Sequence, residues 1–171
     1  MSHAKNKVEW CLKKAEKELQ EKCKHRGLVQ VGPNTKKAEE HIIKAEHNLI
    51  VTLHLKQAGF TDWCSSTLFY TIYHCFLAIL SKFGYQSRNQ ECTFAAIIAL
   101  IEEEKISLNK EDVKRVSALD EKDTQETTHT MVSIREEYQY NTKLSLENKE
   151  YEELLALAKH MLEKTKEIII Q

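Results

Sequence analysis

Thr67-Leu68-Phe69-Tyr70-Thr71-Ile72-Tyr73-His74-Cys75-Phe76-Leu77-Ala78-Ile79-Leu80 is the longest apolar run of the chain. Its large side chains, from Leu68 and Phe69 to Ile79 and Leu80, leave little polar face on a helix spanning about Thr61 to Phe83. A helix apolar nearly all round is either central in its bundle or shared with a second subunit. The run is too short to cross a bilayer, which takes about 20 apolar residues, and it carries His74. It therefore reads as core, and the rest of the chain must supply what surrounds it.

Outward from this run the periodicity stays helical. On the N-terminal side, Ala38, Ile42, Ala45, Leu49 and Leu53 mark one face of a helix reaching about Ala58, with Asn34 or Thr35 as its N-cap and Gly59 as its stop. Before it, Gly27 and Gly32-Pro33-Asn34 punctuate a linker. Still earlier, Val8, Cys11, Leu12, Ala15, Leu19 and Cys23 give an amphipathic helix over about Ser2 to Lys24. On the C-terminal side, Gly84 closes the apolar helix and Tyr85 to Gln90 reads as a polar loop. Phe94, Ile97, Ile98 and Ile101 then mark a helix over about Glu91 to Glu104. Asn109 to Tyr140 has two weaker stripes, Val113/Val116/Leu119 and Met131/Ile134/Tyr138. Between them Asp120 to Thr128 is polar, so a bent helix and two separate helices both fit. A last helix over about Asn148 to Ile169 carries Tyr151, Leu154, Leu155, Ala158, Met161, Leu162 and Ile168.

Only four glycines and one proline occur among 171 residues, 30% of which are charged. Turn-formers are scarce and helix-formers abundant, so the fold class is all-α and no strand is predicted. Short connections between helices of this length imply an up-down antiparallel bundle of four to five helices. The N-terminal basic helix and linker, 1–33, form an addition to the bundle of 34–171. Through Lys37 about ten Lys and Arg stand against about four Glu, which leaves an acidic remainder in a chain of net charge −1. Such a basic arm could touch RNA or an acidic partner, although a solvated helix face is the commoner meaning. Five cysteines without a C-x-x-C pair, three of them in apolar helical segments, favour a reducing compartment over a disulfide framework. With a polar N-terminus, the expectation is a cytoplasmic protein without a membrane partner.

Three stretches carry a family resemblance. Lys44-Ala45-Glu46-His47-Asn48-Leu49 is similar to the Lys-Ala-x-x-x-Leu opening of the first core helix of the HEPN superfamily. Phe69-Tyr70-Thr71-Ile72-Tyr73-His74-Cys75 resembles the aromatic Tyr-Tyr-x-x-Phe-His-x signature of its second. Arg135-Glu136-Glu137-Tyr138-Gln139-Tyr140 resembles the Arg-x-x-x-Asp-Tyr segment that ends the fourth. The likeness covers about Lys36 to Ile170 and is closest to small stand-alone prokaryotic members. It implies a four- or five-helix bundle that dimerises and brings the arginine segments of two subunits together.

In nuclease members of that family the arginine and a following histidine act on RNA without metal. An imidazole suits proton transfer near neutrality and an arginine suits a phosphate. Here Tyr140 stands where the histidine belongs, and a phenol with a pKa of about 10 is a poor base at neutral pH. The resemblance therefore implies a dimeric module that binds a nucleotide, RNA or a protein, with ribonuclease activity lost or weakened. The alternative is a metal-independent endoribonuclease toxin paired with a minimal nucleotidyltransferase, whose acceptor would be Tyr140. Arg135 and Tyr140 are the catalytic candidates; Arg135, Tyr138, Tyr140 and His74 are the binding candidates. On a continuous helix five residues turn about 140°, so Tyr138 and Gln139 share the face of Arg135 better than Tyr140 does.

Each candidate has a plainer meaning. Arg135 could pair with Glu136 or Glu137, the tyrosines could be packing residues, and His74 could be a hydrogen-bonded core histidine. His41, His47 and His54 lack the i, i+4 spacing of a helical metal pair, so no metal and no cofactor are expected. Arg88-Asn89-Gln90-Glu91 could line a cleft, but a polar segment opening a helix is already explained by capping. Glycine-rich phosphate loops and nucleophile elbows are absent from the sequence.

Overall fold

The computed structural model describes residues 2–117 and 130–170. Their elements are α1 (His3–Gln20), β1 (Leu28–Gln30), α2 (Thr35–Gln57), α3 (Thr61–Lys82), β2 (Tyr85–Ser87), α4 (Gln90–Glu102), α5 (Lys110–Val116), α6 (Met131–Tyr140) and α7 (Asn148–Ile170). The class is all-α. α3 takes the central place that its composition predicts, packing against α2, α4, α6, α7 and β2. By length and composition α3 could also cross a membrane, but 72% of that window is buried inside the protein.

Burial along most of α3 leaves Ser65, Thr71 and Ser81 without water, and their hydroxyls turn back on their own helix. Ser65 donates to the Asp62 carbonyl, Thr71 to that of Thr67 and Ser81 to that of Leu77. Thr52, buried on α2, donates to the Asn48 carbonyl and accepts from the Thr67 hydroxyl at 2.7 Å, so the α2–α3 pair closes with these polar atoms satisfied. Lys82 at the end of α3 donates to the Ile168 carbonyl at 2.6 Å, which ties down the C-terminus of α7.

Side-chain caps set the starts of the helices. Ser2, Asn34, Asn89, Asn109 and Thr130 each accept a backbone N–H from the first turn of α1, α2, α4, α5 and α6. Each such cap stabilises by about 1 kcal/mol. α5 ends at Ser117 and α6 starts after Thr130, so the two weak stripes are two helices. Leu119 and the polar join Asp120 to Thr128 lie outside the described residues.

Three expectations need correction. The linker and the polar loop each contain a strand: β1 and β2 pair antiparallel, Leu28 with Ser87, Val29 with Gln86 and Gln30 with Tyr85. Gly27 permits this, because a Cβ there would lie 2.5 Å from the Cys11 carbonyl oxygen of α1. At the far end the Gly84 carbonyl accepts from Val31 and Gly32, with both glycines at positive φ. Second, Cys11 and Cys92 form a buried disulfide between α1 and α4, although the cysteine pattern argues against one. The partners are 81 residues apart and meet only through helix packing. Closing a loop of that length stabilises by on the order of 4 kcal/mol in the chain-entropy picture. Third, Leu53 is exposed and Thr52 takes the buried position on α2.

Candidate functional site

The C-terminal half of α6 presents the Arg135 segment. Met131, Ile134, Arg135 and Tyr138 face inward and Tyr140 is the last helical residue, 78% exposed. The helical period thus separates Arg135 from Tyr140 as its spacing predicts. Arg135 itself is only 7% exposed, with its guanidinium carbon 4.4 Å from the centre of the Phe69 ring on α3. A cation over an aromatic face is held by the ring quadrupole. Its Nη2 meets Glu136 at 3.5 Å, and its buried Nε has no hydrogen-bond partner.

Tyr138 donates to Glu150 of α7 at 3.3 Å. Burial, and then the Glu150 carboxylate, push its phenol above the ordinary tyrosine value, so it is no base at neutral pH. Beside it lies a cavity of about 470 Å³ whose rim carries the carboxylates Glu137, Glu147, Glu150 and Glu153 against Arg115, Lys143 and Lys149. Arg135 is not part of its lining. A surplus of carboxylate repels phosphate, and the arginine that would attract it faces the core.

His74 goes elsewhere. Its Nδ1 lies 3.0 Å from Nδ1 of His41, across the α2–α3 contact. One ring donates and the other accepts, so the pair is bonded in its neutral form. Burial, then the charge of His74, bring the His41 pKa down to about 4. Burial, then Lys44 and Lys37, depress that of His74. His74 also meets Tyr73 edge-on, and Tyr73 stacks on Phe69. His41 and His74 are 33 residues apart, so spacing within one helix could not reveal their pairing.

His41 opens onto a second cavity, of about 460 Å³, between the start of α2, the end of α3 and β2. Asn34, Lys37, His41, Ser81, Gln86, Ser87 and Arg88 supply its polar lining, Tyr85 and Leu77 part of its wall, and no described carboxylate lines it. Arg88 follows β2 directly. Asn89, its neighbour, caps α4 through the Cys92 N–H at 3.0 Å. The cap explains Asn89 and leaves the Arg88 guanidinium exposed and without an ion pair among the described residues. Of the two meanings open to this polar segment, a cleft wall and a helix cap, the structure gives the first to Arg88 and the second to Asn89.

Among the described residues no group of three or more His, Cys, Asp and Glu is placed to hold a metal ion. The free thiols Cys64 and Cys75 are buried, their pKa values pushed up to about 11 and about 12 chiefly by burial, so neither is a nucleophile at neutral pH. Compared with models of known protein families and with curated proteins, the chain matches none.

Proposed function

We propose that this chain is a HEPN-type protein, an up-down antiparallel helical bundle that works as a homodimeric binding module for RNA, a nucleotide or a partner protein and does not cleave RNA. The burial of the Arg135 guanidinium against Phe69 carries this reading, because an arginine spent on an aromatic face inside the protein is withdrawn from phosphate. Tyr140 in place of histidine supports it from the side of proton transfer. Incubating the purified protein with single-stranded and hairpin RNA in chelator should leave the RNA intact. Cleavage that disappears in Arg135→Ala would overturn the reading.

The exposure of Tyr140 favours one alternative, a ribonuclease toxin silenced by a nucleotidyltransferase that modifies this hydroxyl. It requires growth arrest on expression that Arg135→Ala relieves, and a mass increase from the modifying enzyme that Tyr140→Phe abolishes. Absence of both removes it.

A further inference from the structure

The cavity at Lys37, His41 and Arg88 does not end at β2. A neighbouring hollow of about 650 Å³ lies between α1, the loop after it and β1, and shares Val31, Gln86 and Arg88 with the first. Its character is different. Leu12, Leu19, Leu28 and Val29 make much of it apolar, and His25 is set into its wall. His25 is 5% exposed, and neither of its ring nitrogens has a hydrogen-bond partner. The Gly27 backbone acts weakly on the ring against burial and the Arg88 charge, and no hydrogen bond of good geometry forms. A buried imidazole left so is costly and uncommon, and it marks a place where a ligand would supply what the fold does not.

Arg88 belongs to both hollows, with basic groups on one side and on the other a largely apolar trough that also carries Glu16 and Lys24. A guanidinium without a carboxylate partner offers a planar fork that matches a phosphoryl group with two parallel hydrogen bonds. Lys37 stands beside it, tied at the rim by Glu40 at 2.9 Å. His41 has its Nδ1 engaged by His74, which leaves Nε2 as the nitrogen able to meet a ligand. The start of α2 adds the positive end of a helix of 23 residues. Together these groups select an anion of high charge density, and the trough selects a body attached to it.

We propose that the two hollows form one site for a small phosphate monoester, its phosphoryl group at Arg88, Lys37 and His41 and its largely apolar body in the trough, where His25 meets a polar atom of that body. No residue of the Arg135 segment takes part, so the site stands whether or not that segment binds RNA.

Calorimetric titration of the whole protein with inorganic phosphate and with para-nitrophenyl phosphate tests this. Both should bind, the ester about tenfold more tightly or better, and Arg88→Gln should weaken both by about tenfold. His25→Leu should weaken the ester alone, with phosphate binding as the check that the variant is folded. Failure of the ester to bind, an ester no tighter than phosphate, or indifference to Arg88→Gln overturns the proposal. Binding to phosphatidate vesicles in place of the ester overturns it too, since the partner would then be a membrane surface.

Discussion

The Arg135 segment and the Lys37–His41–Arg88 cavity invert what their sequences suggest. Arg135 sits in a stretch that resembles a catalytic motif, yet its guanidinium is laid on Phe69 and covered. Arg88 sits in a stretch that reads as a helix start, yet among the described residues its guanidinium has no ion-pair partner and stands at a cavity that no described carboxylate lines. The difference lies in the partner surface. α6 turns Arg135 toward α3, a largely buried and apolar helix, and among the described residues its guanidinium meets the Phe69 ring face and the adjacent Glu136. The residues around Arg88 come from α2, α3 and β2 and set Lys37, His41, Ser81 and Ser87 among apolar wall residues. A cation's role is decided by what it faces rather than by its neighbours in the chain.

Four measurements bear on this contrast. Phe69→Ala should have the largest effect, destabilising the protein by about 3–5 kcal/mol in a denaturant titration, because it empties a fully buried aromatic site and uncovers Arg135 together. A loss below about 1 kcal/mol would mean that the ring is no core residue.

Acid should act next, and on the other region. His41 has its pKa depressed to about 4 by burial and by His74, with Lys37 adding positive charge and Glu40 opposing it. The folded value lies below the unfolded one, about 6.5. Stability is therefore complete above about pH 6.5 and is lost as the pH falls towards about 4, by about 1–2 kcal/mol once partial solvation is allowed for. His25 and His74 shift in the same direction, so His41→Asn should flatten only its share of the slope. An unchanged slope in that variant would break the assignment.

Arg135→Met should cost nothing and could add up to about 1 kcal/mol, since it keeps the stem and removes a buried Nε without a partner. A loss of more than about 2 kcal/mol would restore Arg135 as an electrostatic anchor. Arg88→Gln should change stability least, by less than about 0.5 kcal/mol, as an exposed residue without an ion pair among the described residues does. A larger loss would show that Arg88 holds the fold rather than a ligand.

Much of the fold was legible in the sequence for one reason: helices depend on residues three and four apart. The stripe Ala38/Ala45, the Asn34 cap and the all-round apolar α3 follow from that rule, and the structure keeps them. The separation of Arg135 from Tyr140 was legible on the same ground. Two three-residue strands were not, because strands this short owe their existence to a partner far along the chain, as Leu28 does to Ser87, 59 positions away. Leu53 was misplaced because a face chosen by hydrophobicity alone overlooks a threonine that can satisfy its hydroxyl inside the helix.

The chain alone determined that this protein is helical, where most of its helices begin and end, and that the Phe69 helix lies within the core. Tertiary structure decided which charged and polar groups meet. The Cys11–Cys92 bond, the His41–His74 pair, the ring over which Arg135 lies and the cavity that exposes Arg88 all join residues far apart in sequence. Helical periodicity is a local property of the backbone, whereas these contacts depend on how whole helices pack, and that depends on the entire apolar surface they bury together.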